Sequence, residues 1–289
     1  MTAQAMPKLD EAPATRVVHK GTQDLPKDAW VPFEWDEPRR GHQVCGEIAI
    51  VRPFGTSGNL TAGFWRSRPN GPGMSSDGSV RAIYSAPLGD ETAVVLEGTA
   101  TLTVKETRQR YPVSPGSIIC SPKNVEVVWE FDAPYFKKFW CIFDGSYPTP
   151  NPPKDLLIAN INDNPAEWQE YRFTEPKEGP QVAGELFFIR ERGATSTMMC
   201  GLWRSGKGIA GTNVDASGTL VTPLTSALGD ETILLLEGEI EVVETLTRKK
   251  HSFRAGDVIG LSSGMHVTGT AKGPFTKKLW VITKDQLPE

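Results

Sequence analysis

Long apolar runs are missing from this sequence, and so is any concentration of charge of one sign. No stretch approaches the roughly 20 apolar residues that span a bilayer. No apolar signal region stands near the first residue either. Basic residues form no run and the net charge is only −4. We therefore expect neither nucleic acid nor a membrane as a partner, and we expect the protein to be cytoplasmic.

Several catalytic and metal-binding motifs are also absent. The chain has no Ser/His/Asp set, no phosphate loop and no CxxC pair, so nucleophilic hydrolase, nucleotide-binding and zinc-ribbon functions have no support. Its four cysteines are too scattered for a metal motif. We expect them to be buried free thiols, as is usual in a reducing cytosol.

Turn residues and short β-type runs are what the chain does have. Its 28 glycines and 23 prolines, together with many short runs of Val, Ile, Thr and Phe, predict an all-β protein with many turns. A length of 289 residues is enough for two domains that each bury a core.

An internal repeat divides the chain in two. Residues 88–98 read LGDETAVVLEG and residues 228–238 read LGDETILLLEG, which is identity at eight of eleven positions. Each copy predicts a short buried strand bounded by tight turns. A second pair of segments, 30–55 and 168–193, shares a frame of aromatic residues, Glu-Pro, Gln-Val and Gly-Glu. The sequence therefore predicts two homologous β units.

The repeat also sets the domain boundaries. It predicts an N-terminal arm over 1–29, a first barrel over 30–148, a linker over 149–167 and a second barrel over 168–289. The arm is polar and without periodicity up to residue 25, so we expect a loose segment there. The linker is rich in Pro and Asn, and its DLLIANI run (155–161) is expected to form one short helix. Because exposed edge strands are usually covered by a partner, a homodimer is expected.

This pattern resembles the cupin superfamily. The second half of the first cupin motif, Glu followed by six residues and Gly, is matched by Glu91 with Gly98 and by Glu231 with Gly238. The PGS and AGD turns and the repeated Lys-Lys-aromatic-Trp ending look most like the subfamily named for (S)-ureidoglycine aminohydrolase. The resemblance implies two tandem cupin jelly-roll barrels, that is, a bicupin.

The histidines of a cupin metal site are not found at their motif positions. The resemblance implies three imidazoles and one glutamate around a transition metal. The motif allows two spacings for its first two histidines. In the first copy these positions hold Tyr84 and Ala86, or Ser85 and Pro87. In the second copy they hold Leu224 and Ser226, or Thr225 and Ala227. The third position holds Val127 or Val267, and His266 is one residue early, on the opposite strand face. We therefore expect no metal and no other cofactor.

Differences between the copies point to the first barrel as the functional one, because a structural role should persist in both. The first copy has Arg81, Tyr84, Trp129 and Phe131 where the second has Val221, Leu224, Gly269 and Ala271. We predict Glu91 and Tyr84 as acid/base groups in a mostly apolar pocket. The predicted ligand-binding residues are Trp129, Phe131, Arg81, Trp65 and Glu231. The alternative is that the aromatic residues only fill the barrel and the glutamates make structural bonds.

Three functions remain open at this stage. The first is a metal-independent bicupin that binds a small polar metabolite in the first barrel. The second is a cupin enzyme, a hydrolase, isomerase or lyase, that acts on a ureido or amino-acid-derived compound. The third is a structural or regulatory protein whose two barrels are both packed shut.

Overall fold

The structure, a computed structural model, describes residues 16–165, 167–226 and 228–286. Within these ranges the chain is built of antiparallel strands and one three-residue 3-10 helix, Lys27–Ala29. No helix among the described residues has the length and apolar character needed to cross a membrane. The part of the predicted arm before residue 16 lies outside the described residues.

Twelve strands precede the second repeat. They are β1 Val18–Thr22, β2 Val31–Glu37, β3 Gly41–Arg52, β4 Asn59–Ser67, β5 Val80–Tyr84, β6 Asp90–Glu97, β7 Ala100–Val104, β8 Arg110–Val113, β9 Ser117–Ser121, β10 Val127–Phe131, β11 Phe136–Asp144 and β12 Leu157–Asn160. The second repeat adds β13 Gln169–Glu175, β14 Gly179–Arg190, β15 Thr197–Gly206, β16 Leu220–Thr225, β17 Asp230–Glu237, β18 Glu239–Glu244, β19 Lys250–Arg254, β20 Asp257–Leu261, β21 His266–Ala271 and β22 Phe275–Lys284.

These strands form two tandem jelly-roll barrels, which confirms the predicted all-β fold class. The first barrel consists of a seven-stranded sheet, in the order β12-β9-β6-β11-β4-β3-β2, and a four-stranded sheet, β5-β10-β7-β8. The second barrel repeats this arrangement as β1-β20-β17-β22-β15-β14-β13 and β16-β21-β18-β19. Each barrel encloses a core of its own between its two sheets.

The two seven-stranded sheets pack against each other through a third core. It is formed by buried residues from both repeats, among them Leu60, Phe64, Phe139, Leu202, Leu234 and Leu279. In a pleated strand, successive side chains face opposite sides. The central strands β6, β11, β17 and β22 are therefore apolar on both faces, one toward a barrel interior and one toward the other barrel.

The glycine that ends each LGDET repeat has a steric role. Gly98 and Gly238 have φ values of 78° and 80°, a region that side chains rarely adopt. A Cβ atom at Gly98 would lie 2.1 Å from the Tyr135 carbonyl oxygen, and one at Gly238 would lie 2.5 Å from that of Phe275. The turns after β6 and β17 can therefore lie this close to the neighbouring backbone segment only because glycine has no side chain.

Two segments differ from the sequence-based expectation, and both are strands that the barrels exchange. The arm, expected to be loose, contains β1, which pairs with β20 of the second barrel. The DLLIANI run, expected to be helical, contains β12, which pairs with β9 of the first barrel. Both expectations were wrong because a short apolar or polar run becomes a strand when a sheet edge offers it hydrogen-bond partners. The segment that precedes each repeat therefore supplies an edge strand to the other repeat's sheet.

His19 on the exchanged strand β1 gives a pH-dependent contribution to stability. Its pKa is lowered from 6.5 to about 4, mainly because burial disfavours the charged ring and also because of the Arg52 guanidinium, while Asp230 acts in the opposite direction. Between these two pKa values only the unfolded chain binds the proton. The contribution is thus fully present above pH 6.5 and is lost as the pH falls toward 4.

We expect the substitution His19→Leu to remove this pH dependence. Leu157 occupies the corresponding position of β12, so leucine is compatible with the strand. The free energy of unfolding of the wild type should fall relative to that of the variant as the pH drops from 6.5 to 4. Parallel urea denaturation curves over this range measure the difference, and a constant difference would contradict the buried neutral histidine.

Candidate ligand site in the first barrel

Strand alternation brings the candidate groups together inside the first barrel. On β6, Glu91 faces the barrel interior, whereas its neighbour Thr92 points toward the second barrel. On β11, Lys138 and Trp140 face the same interior, and the intervening Phe139 lies in the core between the barrels. Because β6 and β11 are hydrogen-bonded neighbours, the inward side chains of both strands meet.

A buried ion pair is the central polar feature of this interior. Lys138 Nζ donates a hydrogen bond to Glu91 Oε1, and both residues are buried. The same ammonium lies 4.6 Å from the centroid of the Trp129 ring, which adds a cation–π contact. The second barrel has the equivalent pair, with Lys278 Nζ at 3.0 Å from Glu231 Oε1. Each barrel thus holds one carboxylate whose charge is balanced by an ammonium group.

Aromatic rings fill much of the remaining first-barrel space. Phe131 stacks on Trp65 with centroids 4.8 Å apart and on Trp129 at 5.3 Å. The Trp65 indole also donates to the Cys45 carbonyl oxygen at 2.9 Å. The first-barrel cavity, which these residues line together with Glu91, is only about 40 Å³.

The second barrel has a larger space. Its cavity is about 80 Å³, and Gly269 and Ala271 stand where the first barrel has its large rings. The bulk of Trp129 and Phe131 therefore accounts for the smaller cavity of the first barrel.

Two hydrogen-bond donors in the first-barrel cavity have no partner among the described residues. The Tyr84 hydroxyl and the Trp140 indole nitrogen are both buried and unpaired, and both residues line the cavity. Burial raises the pKa of Tyr84 well above its ordinary value of 10, and the charges of Glu91 and Glu37 raise it further. Tyr84 therefore stays a neutral donor. Buried polar groups are normally paired, so two donors without a hydrogen-bond partner in one cavity are unusual.

A neighbouring carboxylate holds Tyr84 in place. Glu37 accepts hydrogen bonds from the Trp35 indole at 3.0 Å and from the Ser85 backbone N–H at 3.1 Å. Its counterpart Glu175 accepts from the backbone and hydroxyl of Thr225, both at 2.7 Å. This repeated carboxylate fixes the end of the strand on which Tyr84 stands.

Two of the predicted residues, Arg81 and Glu231, lie away from the first-barrel cavity. Arg81 projects outward, with its side chain 66% exposed and its Nε 3.4 Å from a Glu130 oxygen. Strand alternation puts it on the face opposite Tyr84, so it does not line the cavity as predicted. Glu231 belongs to the interior of the second barrel. His266 is exposed, as its one-residue offset indicated, and bonds to Thr225.

Comparisons with known proteins agree with this architecture. Residues 75–140 match the EutQ-like cupin domain, and this stretch contains Tyr84, Glu91, Trp129 and Lys138. The match lies within the first barrel. No curated protein matches this chain.

Solved structures of other cupin-type proteins resemble the chain over nearly its whole length. A protein of unknown function of the DUF861 family from Pseudomonas syringae pv. tomato has a TM-score of 0.60 at 13% identity, covering 93% of this chain and 100% of that one. The putative glyoxylate induced protein from Pseudomonas aeruginosa has a TM-score of 0.58 at 14% sequence identity, and the match covers 99% of this chain and 92% of that one. A mutant of Bacillus subtilis oxalate decarboxylase has a TM-score of 0.54 at 13% sequence identity, and the match covers 97% of this chain and 80% of that one. At these identities the likeness shows the fold, which is that of a bicupin.

The residues of this bicupin do not fit the metal that the resemblance implies. Glu91 is surrounded by an ammonium, an indole and a phenol. A protonated lysine has no lone pair to offer a metal ion. Within the ranges that the structure describes, no group of three or more His, Cys, Asp or Glu side chains could hold a metal. Lys138 instead supplies the positive charge beside the carboxylate.

The two lysines are the functional groups that the sequence-based prediction missed. Lys138 and Lys278 are the second residues of the corresponding Lys-Lys-Phe-Trp and Lys-Lys-Leu-Trp segments, which were interpreted only as a sign of the fold. The sequence signal that could have found them is the alternation of inward and outward side chains along a strand. A charged residue two positions before an inward Trp on a buried strand must also face inward. It then requires a partner of opposite charge.

Proposed function

We propose that this chain is a metal-independent bicupin that binds a small, neutral, planar polar compound of the amide or ureido type in its first barrel. The observation that carries the proposal is the pair of unpartnered buried donors, Tyr84 and Trp140, in one cavity with the Glu91–Lys138 ion pair.

Charge favours a neutral ligand. Glu91 and Lys138 sum to zero, and a net ion added to an enclosed apolar cavity would lose its hydration without compensation. An amide or ureido group has a carbonyl oxygen that can accept from Tyr84 and Trp140. It also has N–H groups that can donate to the carboxylate of Glu91. The acceptor and donors of an amide or ureido group therefore match the donors and the acceptor of the site.

Size and shape set the other limits. A water-sized group needs about 10–15 Å³ of such space, so a cavity of about 40 Å³ holds only a few non-hydrogen atoms. The walls are the flat rings of Trp129, Phe131 and Trp65, which suit a planar ligand. Stacking on such a ring contributes on the order of 1 kcal/mol beyond the buried area. The type of ligand also agrees with the ureidoglycine aminohydrolase-like motifs of the sequence.

An isosteric series tests the proposal. We expect acetamide to bind the first barrel and acetate and acetamidinium, which differ from it in charge, to bind at least 10-fold more weakly, as burying one net charge costs more than about 1.4 kcal/mol. Ligand-observed NMR at millimolar concentrations suits ligands this small. Oxalate and glyoxylate, which occur in the names of two structural relatives, serve as further anionic compounds.

Tyr84→Phe is the decisive variant. Loss of one neutral hydrogen bond should weaken acetamide binding by roughly 3- to 10-fold. The melting temperature should be unchanged or slightly higher, because the hydroxyl has no hydrogen-bond partner among the residues that the structure describes. Glu231→Gln in the second barrel should leave acetamide binding unchanged. Equal binding of the three isosteres, or binding that survives Tyr84→Phe intact, would reject the proposed ligand class. If none binds, the barrel is packed shut.

A second candidate function is an enzyme acting on the same class of compound. It is favoured by the position of Glu91, Lys138 and Tyr84 on one cavity, where a carboxylate, an ammonium and a phenol can exchange protons with a ligand. Product formation in the NMR samples over hours would support this function. Loss of product with Glu91→Gln but not with Glu231→Gln would assign it to the first barrel.

A further inference from the structure

A separate cavity of about 310 Å³ lies where the two repeats meet, outside both barrel interiors. We name it the junction cavity. Its walls include Pro122, Pro153, Asp155, Leu157, Phe188 and Arg190. They come from the exchanged strand β12 with the segment before it, the end of β14 and the loop after β9. A volume of this size is within the range of small-molecule sites, about 300–1,000 Å³.

The decisive feature of the junction cavity is an arginine with unused donors. Arg190, the last residue of β14, is buried, yet only two of its five N–H groups donate, to the Glu91 carbonyl oxygen and to Thr92 Oγ1. Its Nε is buried and has no partner among the described residues. A buried guanidinium N–H without an acceptor is costly to the fold.

The counterpart at the other junction shows what a purely structural arginine looks like here. Arg52 ends β3 as Arg190 ends β14, and its side chain is 0% exposed. Its hydrogen bonds run to the Phe54, Glu231 and Leu261 carbonyl oxygens, to Thr232 Oγ1 and to Asp230 Oδ1. His19 stacks edge-on against Phe54 at 4.8 Å and closes this junction. The two arginines therefore differ in partners, although they occupy equivalent positions.

The open junction also exposes apolar surface. Phe188 is 41% exposed and Leu157 is 39% exposed, and both line the junction cavity. Leu157 stands where His19 stands at the closed junction, and it leaves the space above Arg190 free. Large exposed side chains that share one concave wall with an unpaired guanidinium are what a ligand with an apolar body and an acidic group requires.

Acidic side chains on the same walls narrow the ligand class further. Asp155 and Glu191 both line the junction cavity, and Arg192 lines it from an exposed position. Asp90 also lines it, but its carboxylate already accepts from Thr195 and from the Lys123 N–H. Asp155 accepts one hydrogen bond, from the Leu156 N–H at 2.8 Å. The two acids would repel a simple anion, and a simple cation would leave the Arg190 Nε without an acceptor.

We infer that the junction cavity binds a small zwitterion with an apolar side chain, that is, a neutral α-amino acid. The carboxylate bonds to Arg190, the ammonium group faces Asp155 and Glu191, and the apolar side chain packs on Phe188 and Leu157. This cavity is separate from the first-barrel cavity and takes a different ligand.

Three compounds that differ by one group test the inference on the intact protein. L-leucine is the full ligand, 4-methylpentanoate lacks its ammonium group, and 3-methylbutylamine lacks its carboxylate. We expect leucine to bind, as seen by isothermal titration or by ligand-observed NMR, and each of the other two to bind at least 10-fold more weakly. Equal binding of 4-methylpentanoate would overturn the role of the two acids. Equal binding of 3-methylbutylamine would overturn that of Arg190.

Two variants locate the binding. Arg190→Gln should weaken leucine binding by about 10- to 100-fold, as expected for lost charge-assisted hydrogen bonds. Phe188→Ala changes an exposed wall residue, so the chain should fold, and leucine binding should weaken several-fold. Arg81→Gln removes an exposed arginine elsewhere and should change nothing. Binding that persists in both Arg190→Gln and Phe188→Ala would place leucine at another site and overturn the inference, as would the absence of binding to the wild type.

Discussion

Replacing Arg52 with methionine is expected to lower the free energy of unfolding by about 3–5 kcal/mol, the usual cost of removing one partner of a buried ion pair. The variant leaves Asp230 buried without its cation and three carbonyl oxygens without a donor. Methionine fills similar space, so the loss is mainly one of charge and hydrogen bonding. Urea denaturation of the wild type and the variant at neutral pH measures it.

Arg190→Met is the matched control for this prediction. Arg190 makes two hydrogen bonds and no ion pair within 4.0 Å among the described residues. The substitution Arg190→Met should lower the free energy of unfolding by less than Arg52→Met does, on the order of 1–3 kcal/mol. A larger loss for Arg190→Met than for Arg52→Met would show that the two junctions do not differ as their contacts indicate.

The second large effect is expected inside the first barrel. Lys138→Met leaves the Glu91 carboxylate buried without a cation, and we expect a loss of about 3–5 kcal/mol in the free energy of unfolding. The double variant with Glu91→Gln removes both charges and should recover most of this loss. A double-mutant cycle by urea denaturation gives the coupling between the two groups.

The second barrel supplies the comparison. Lys278→Met and Glu231→Gln form the same cycle at the equivalent pair, where the ammonium lies 5.2 Å from the Trp203 ring. Both cycles should show coupling of the same sign. Additive losses in the first barrel would mean that Lys138 and Glu91 do not stabilise each other.

The repeated strands were predictable because their pattern is local. Turn residues, apolar runs and period-two alternation are all encoded within a few positions, and these define β6 and β17 together with the inward direction of Glu91 and Tyr84. The same alternation places Arg81 on the face opposite Tyr84. Its prediction as a ligand-binding residue required a bend or the barrel rim to bring it to the site, and its side chain is exposed instead.

What the sequence did not reveal depends on distant parts of the chain. The DLLIANI run has no local feature that selects strand over helix. β9 selects it by offering a free edge. Likewise, the size of the first-barrel cavity follows from how Trp65, Trp129 and Phe131 stack on one another, and the order of residues does not encode that packing.

The exchange of β1 and β12 has a consequence for the origin of the chain. A single ancestral repeat could complete its seven-stranded sheet only by receiving this strand from a second molecule, and would therefore have been an obligate pair. In this chain residues 149–167, which include β12, connect the two repeats, so that both exchanged strands pair within one polypeptide. Pairing within one chain does not depend on protein concentration. The two copies were also free to diverge, so that one junction could close over Arg52 while the other stayed open at Arg190.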